Sequence, residues 1–132
     1  MKKLIALLMV LVLGVSLCAC TTMSKEDMIS EAKTLLRRDV ITDMSENFVN
    51  AKEKYNGMVA RFNDVTVNDI STKGFSSDYI KTFDYGFTTL SIDVRLSKDD
   101  IMQLKEGEEV NVVGIIKVDY NNHITLKNAH II

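Results

Sequence analysis

The sequence predicts an α+β fold that is mostly β: a five-stranded curved barrel preceded by one or two N-terminal helices, with a short helix between its third and fourth strands. Three observations predict this order. Apolar residues recur at spacings of three and four before Gly57 and at a spacing of two after it. Turn-forming residues divide the second part of the chain into strand-length segments. A helix-start pattern, Ser97 with Asp100, follows the third segment.

The region before Gly57 begins with one helix-start pattern, Ser24 with Asp27. The apolar residues that follow share one helical face: Met28, Ile29, Ala32, Leu35 and Leu36. Arg37 and Arg38 fall near the end of this predicted helix, where they suit the negative end of its dipole.

Asp43 with Glu46 predicts a second helix start in the same region. A narrow apolar stripe runs along this helix: Ile41, Met44, Phe48, Ala51 and Tyr55. Asn56-Gly57 ends the helix, because glycine just past a helix end adopts the left-handed conformation without steric cost. One kinked helix is the alternative to two.

The first strand is predicted from Met58 to Val67. Its apolar parity changes at Asn63-Asp64, and we expect a bulge there to restore the buried face. Residues 68–78 are polar and contain Gly74, so they are predicted to form a loop.

Tyr79 to Phe83 is predicted as the second strand, and Asp84-Tyr85-Gly86 as the turn after it. The third strand is predicted from apolar residues that alternate strictly with polar ones: Leu90, Ile92, Val94 and Leu96.

A short helix is predicted to run from Ser97 to Leu104. Val110 to Val118 is apolar on both parities, which is typical of a central strand, and Gly114 marks a bend or a close approach. His123 to Ile131 is the last predicted strand.

The chain begins with the pattern of a secretory leader. Lys2 and Lys3 precede an apolar run from Leu4 to Val15. An uncleaved membrane helix is the alternative, because residues 4–20 carry no charge and approach the length of about 20 residues that spans a bilayer.

Leu17-Cys18-Ala19-Cys20 resembles the lipobox of bacterial lipoproteins. The resemblance implies that Cys20 is acylated and is the first residue of the mature protein. It also implies an extracytoplasmic protein that is lipid-anchored to the cell membrane or the outer membrane. We therefore divide the chain into three parts: a signal peptide over residues 1–19, the acylated N-terminus, spacer and leading helix over 20–43, and the barrel with its preceding helix over 44–132.

The charge and cysteine content of the mature chain argue against several classes of function. Loss of Lys2 and Lys3 with the leader leaves 14 basic and 18 acidic residues, a net charge of −4. The basic residues are interleaved with acids, whereas a nucleic-acid interface needs a clustered basic face, so nucleic acid is an unlikely partner. The mature chain has no cysteine besides Cys20, which excludes a structural disulfide and cysteine catalysis within the domain.

Three segments resemble the tRNA_anti-like family of bacterial OB-fold lipoproteins: Ala51–Gly57, Leu104–Gly114 and Ile124–Leu126. The resemblance covers about residues 45–132 and implies an OB-fold, a five-stranded barrel with a helix between strands three and four. It does not imply that this chain binds tRNA.

The chain departs from that family at two places. Asn63-Asp64 stands where many members have glycine, and residues 91–94 and His130 stand where many have cysteine. The barrel is therefore expected to rest on packing without a disulfide.

Catalytic and metal sites are not predicted. His123 and His130 are the only histidines, and neither has cysteine or histidine at ligand spacing, whereas a zinc site needs three or four ligands. Each is interpreted as a hydrogen-bonded histidine on a strand. No nucleophile motif or glycine-rich phosphate loop is present in the sequence, so we expect no enzymatic activity and no cofactor.

Aromatic residues around the second strand are the candidate ligand site. Tyr79 and Phe83 share strand parity, and Lys81 lies between them. OB-folds bind ligands on strands two and three and use aromatic rings as stacking platforms. Arg95 is predicted to join this face. The alternative is that the rings are core residues and cross-strand pairs.

Three functions are compatible with these features. The first is a membrane-anchored, non-catalytic domain that binds a protein or an envelope glycan near Tyr79, Phe83 and Arg95. The alternative is a surface-tethered oligonucleotide-binding module, which the charge of −4 disfavours. A structural accessory of a larger envelope complex, docked through the leading helices, is a third possibility.

Overall fold

A computed structural model of the protein describes residues 23–132. The predicted signal peptide and the lipidation residue Cys20 lie outside the described residues. Three helices come first: α1 (Lys25–Glu31), α2 (Arg37–Glu46) and α3 (Phe48–Tyr55). No helix in residues 23–132 is long and apolar enough to cross a membrane.

The described residues form seven strands and a fourth helix. In chain order these are β1 (Lys33–Thr34), β2 (Val59–Thr66), β3 (Asp69–Ser71), β4 (Gly74–Phe83), β5 (Gly86–Arg95), α4 (Lys98–Ile101), β6 (Glu109–Tyr120) and β7 (His123–Ile131). All the strands belong to one curled sheet in the order β1-β2-β6-β7-β5-β4-β3. The prediction of a mostly β, barrel-like fold with leading helices is confirmed at this level.

The prediction of five strands is wrong, because the sheet has seven. The two additional strands are short and lie at its edges: β1 pairs in parallel with β2, and β3 folds back on the start of β4. Part of the predicted loop over 68–78 is therefore strand. Backbone hydrogen bonds hold these short strands in the sheet. Such bonds do not require apolar side chains, so the hydrophobic pattern does not predict the strands.

The leading helices also differ from their predicted bounds. α1 ends at Glu31, because Ala32 has extended backbone and the chain then pairs with β2; the Leu35 amide donates to the carbonyl oxygen of Arg61 at 2.9 Å. Arg37 consequently begins α2 instead of lying near the end of α1.

α2 and α3 are separate helices that meet at Asn47. This residue ends α2 and caps α3, since its side chain accepts a hydrogen bond from the amide of Asn50 at 3.1 Å. The break falls after Glu46, not at the predicted start near Asp43, and the boundary placed between residues 43 and 44 lies inside α2.

The bulge predicted in the first long strand is confirmed. The pairing of β2 with β6 shifts between Phe62 and Val65, and both of these residues are fully buried. Asp64 lies in this bulge and has a positive φ of 53°. Its backbone amide donates a hydrogen bond to the side-chain oxygen of Asn111 at 3.0 Å. The extra residues let the strand change parity and keep its apolar face in the core.

The core lies between the curled sheet and the helices α2 and α3. Its largest fully buried side chains come from both layers: Tyr55, Phe62, Ile41, Met44, Leu90, Ile92, Ile116, Ile124 and Leu126. The close approach predicted at Gly114 is confirmed, because a Cβ there would lie 3.1 Å from the Cβ of Ala129.

Candidate functional site

The β4–β5 hairpin extends beyond the core. Its register is fixed by the pairs Tyr79 with Leu90 and Phe83 with Gly86. Leu90 is buried, but no residue from Ile80 to Thr89 is buried. The last part of the hairpin, residues 79–87, is called the aromatic arm below.

One face of the aromatic arm carries the predicted ligand residues Tyr79, Lys81 and Phe83, each half-buried. The structure brings these three together, because alternate residues of a strand share a face. The Arg37 guanidinium of α2 lies 5.0 Å from the centre of the Tyr79 ring, and Lys81 Nζ lies 5.1 Å from the centre of the Phe83 ring. Both distances are within the range of a cation–π contact.

The same face continues to the end of the arm. Phe83 stacks on Tyr85 with ring centres 5.7 Å apart and planes inclined by 13°. Lys81 also donates a hydrogen bond to the hydroxyl of Thr42 on α2, which fixes its position beside the ring. Cations and rings thus alternate from Arg37 through Tyr79 and Lys81 to Phe83, and a second ring, Tyr85, ends the row.

The other face of the arm exposes apolar side chains as well. Ile80 is 61% exposed and Phe87 73%, while Tyr85 at the turn is 81% exposed. Phe87 pairs with Thr82 across the hairpin. The interpretation of the rings as core residues therefore holds in part for Tyr79, which packs against the core, whereas Tyr85 and Phe87 are exposed.

The structure does not bring Arg95 to this site. Arg95 pairs with Gly74 at the far end of the hairpin. Cross-strand partners share a face, and the residues of β5 opposite Tyr79, Lys81 and Phe83 have even numbers. Arg95 therefore points to the opposite face of the sheet, and its predicted place beside the rings is corrected.

A second polar cluster lies on that opposite face, around His123. Its Nδ1 is 2.9 Å from Asp119 Oδ2, and its Nε2 is 3.3 Å from Asp93 Oδ2. Tyr120 stacks on the imidazole with ring centres 4.6 Å apart. The interpretation of His123 as a hydrogen-bonded strand residue is confirmed.

Asp119 is the centre of this cluster. Thr125 donates to its Oδ2 at 2.6 Å, and Lys117 Nζ lies 3.1 Å from its Oδ1. Burial raises the pKa of Asp119, but hydrogen bonds from Thr125, Lys117 and His123 outweigh burial and hold the pKa below its ordinary value. The cluster ties β6 and β7 to β5 on the outer face of the sheet.

We expect Asp119→Asn to lower the free energy of unfolding at neutral pH by about 1.5–3 kcal/mol, the usual worth of hydrogen bonds to a charged group. Because the folded pKa of Asp119 is depressed, its stabilisation is complete above the unfolded pKa, about 3.9, and is lost as pH falls through the folded value. Urea melts between pH 5 and pH 2 should therefore show the variant and the natural protein converging. Asp84→Asn is the matched control, because Asp84 is exposed and makes no side-chain hydrogen bond or ion pair within residues 23–132. A loss from Asp119→Asn that persists unchanged at the lowest pH would contradict the linkage.

The cluster has no free imidazole nitrogen to serve as a base, since a carboxylate faces each one. The Thr125 hydroxyl donates to Asp119 and not to the histidine. Within the described part of the chain, no group of three His, Cys, Asp or Glu side chains is placed to hold a metal ion.

Comparisons with known proteins bear on the fold. No protein-family model matches the chain, and no curated protein matches it. A solved structure of a "putative nucleic acid-binding lipoprotein" from Klebsiella pneumoniae subsp. pneumoniae MGH 78578 is similar, with a TM-score of 0.58 and 17% sequence identity. The match covers 83% of this chain and 99% of that one. At this identity the likeness shows a common fold, which this chain therefore shares with a bacterial lipoprotein.

Proposed function

We propose that the protein is a membrane-anchored, non-catalytic binding module built on an OB-fold, and that the aromatic arm holds its partner in the cell envelope. Of the two partners considered, a protein or an envelope glycan, the arm favours a protein. The observation that carries this proposal is the exposure of large apolar side chains on both faces of one projecting hairpin.

The strand order supports the OB-fold. The five long strands are adjacent as β2-β6-β7-β5-β4, with β5 and β7 parallel and the other neighbours antiparallel. α4 lies between β5 and β6, the third and fourth long strands. A five-stranded barrel with this helix is the OB-fold plan. The two short edge strands add to this frame without changing it.

The lipobox resemblance and the lipoprotein with the same fold support the anchor. A non-catalytic role is supported by the His123 cluster, where both imidazole nitrogens face carboxylates. The domain then acts by holding a partner near the membrane.

The arm has the composition of a protein interface. Aromatic residues are enriched at the centres of protein–protein interfaces, and contiguous exposed apolar groups commonly mark interaction sites. Tyr85 and Phe87 lie on opposite faces of the arm, so a partner that covers both must enclose it. A protein groove encloses a hairpin in this way, whereas a sugar ring stacks on one flat face.

The second candidate is an oligonucleotide-binding module. Two observations favour it: the similar structure is named a "putative nucleic acid-binding lipoprotein", and cations alternate with rings from Arg37 to Phe83. Bases stack on such rings, and cations beside them meet phosphates. The net charge of −4 for the mature chain opposes this candidate, because phosphate neutralisation supplies most of the affinity of non-specific binding.

A photo-crosslinking amino acid placed at Tyr85 or Phe87 in the full chain, expressed in its own envelope, tests the proposal. We expect a covalent adduct that protease destroys. The matched control places the same group at Lys105, which is exposed but lies outside the arm. An adduct sensitive to a glycan hydrolase or to nuclease would replace the protein partner by a glycan or an oligonucleotide. Equal adducts from position 105, or none from the arm, would overturn the role of the arm.

A further inference from the structure

A groove lies where the described chain begins. It is lined by residues that start α1, residues that follow β5 and residues near the end of β7: Met23, Ser24, Lys25, Arg95, Leu96, Ser97, Asn128, Ala129 and His130. None of these residues is acidic. We call this feature the N-terminal groove.

The cations of the N-terminal groove are available to a ligand. Lys25 and Arg95 make no ion pair and no side-chain hydrogen bond with another residue in the range 23–132. The acids of the flanking helix starts, at positions 26–27 and 99–100, do not line the groove. Its charged lining is therefore positive.

Positive charge continues past Arg95 onto the outer face of the sheet. Arg95 also lines a neighbouring groove with Lys117 and Lys127. In that second groove Lys117 is paired with Asp119 and Asp93 faces His123, so Lys127 is the cation that joins Arg95 there. A ligand with several negative groups can thus follow the cations from one groove to the other.

The N-terminal groove also lies close to the proposed anchor. Three residue steps separate Cys20 from Met23, which lines the groove. Three steps of extended chain reach about 11 Å at most. If Cys20 carries acyl chains, this short spacer holds the groove at the level of the lipid headgroups.

We propose that the N-terminal groove binds the phosphate groups of anionic lipids in the membrane that anchors the chain. The inference rests on the proposed anchor at Cys20 and adds an orientation to it. Attraction of Lys25 and Arg95 to an anionic surface favours the docked orientation by about 30-fold.

Docking in this way also directs the aromatic arm. Arg95 ends β5, and Gly86 begins it beside the hairpin turn. Nine residue steps of strand span about 30 Å. With Arg95 at the headgroups, the exposed rings near the turn point away from the membrane, where an envelope partner can reach them.

The test uses the full acylated chain in vesicles. A fluorophore on Asp84→Cys at the hairpin turn reports energy transfer to an acceptor on the lipid headgroups. We compare vesicles of phosphatidylcholine alone with vesicles in which a quarter of it is replaced by phosphatidylglycerol. We expect weaker energy transfer in the anionic vesicles, because the docked domain holds the turn far from the surface. High salt should abolish this difference between the vesicle types.

The double substitution Lys25→Gln and Arg95→Gln should remove the difference in energy transfer between the two vesicle types. The matched control, Lys52→Gln with Lys105→Gln, makes the same change in net charge at exposed lysines outside the groove and should keep it. No difference in the natural protein, or a difference that survives Lys25→Gln with Arg95→Gln, would overturn the proposal. Flotation with the vesicles, with Cys20→Ser as the unanchored control, shows separately whether the anchor itself has failed.

Discussion

Ile92→Ala is expected to lower the free energy of unfolding by about 2–5 kcal/mol, the usual cost of truncating a large aliphatic side chain in a core. Ile92 is 1% exposed and sits in the middle of β5. Its neighbours in the sheet are Ser77 on β4 and Ile124 on β7. The cavity left by truncation would lie where three strands meet, and the surrounding strands cannot move together to fill it.

The neighbouring Ser91→Ala is the matched control. Ser91 is half-buried, and its hydroxyl donates to Asp78 at 2.6 Å on the outer face of the sheet. Because this hydrogen bond is exposed, its loss is expected to cost about 0.5–1.5 kcal/mol, which is below the range expected for Ile92→Ala. Urea melts followed by tyrosine fluorescence would measure both variants, since the chain has no tryptophan. Equal losses would contradict the register of β5.

The register of the long strands could be predicted because it depends on side chains. Leu90, Ile92 and Val94 alternate with polar residues, and all three are buried as that pattern predicts. The parity change at Asn63-Asp64 predicted the bulge for the same reason, since a strand with one buried face must keep its apolar side chains there.

The short edge strands could not be predicted, because backbone groups alone form them. β1 consists of Lys33 and Thr34, both exposed, and carries no apolar pattern. Its parallel pairing with β2 ends α1 early, although Leu35 and Leu36 continue the helical spacing of apolar residues. Tertiary pairing here outweighs local helix propensity.

The candidate site was predicted only where it lies within one strand. Tyr79, Lys81 and Phe83 follow from strand parity alone. The His123 cluster joins Asp93 to His123 across the parallel pairing of β5 and β7, which brings residues 30 positions apart into contact. Only the order of strands in the sheet shows this contact. The face of Arg95 follows instead from the register of the β4–β5 hairpin, which places it away from the rings.

Gly74 was predicted to form part of a polar loop, but it is buried and begins β4 opposite Arg95. Its φ is +152°, a conformation that residues with a side chain rarely adopt. A Cβ at this position would lie 1.7 Å from the carbonyl oxygen of Val94 and 2.8 Å from the carbonyl carbon. Both atoms belong to the backbone of β5, so a rotamer change cannot relieve the clash.

Gly74→Ala is therefore expected to cost about 3 kcal/mol or more, from backbone strain and overpacking together. β5 would have to move away from β4 at the end of the hairpin nearest Arg95, so hydrogen exchange should increase for the amides of residues 74–76 and 93–95.

Gly86→Ala separates the two causes, because Gly86 lies at the other end of the same strand pair with φ +131° and no atom within 4 Å of a built Cβ. It should cost only the strain, about 1–2 kcal/mol. Equal losses from the two variants in urea melts would show that β5 yields to the added methyl group, and the close approach of β4 and β5 at Gly74 would then contribute little to the stability of the sheet.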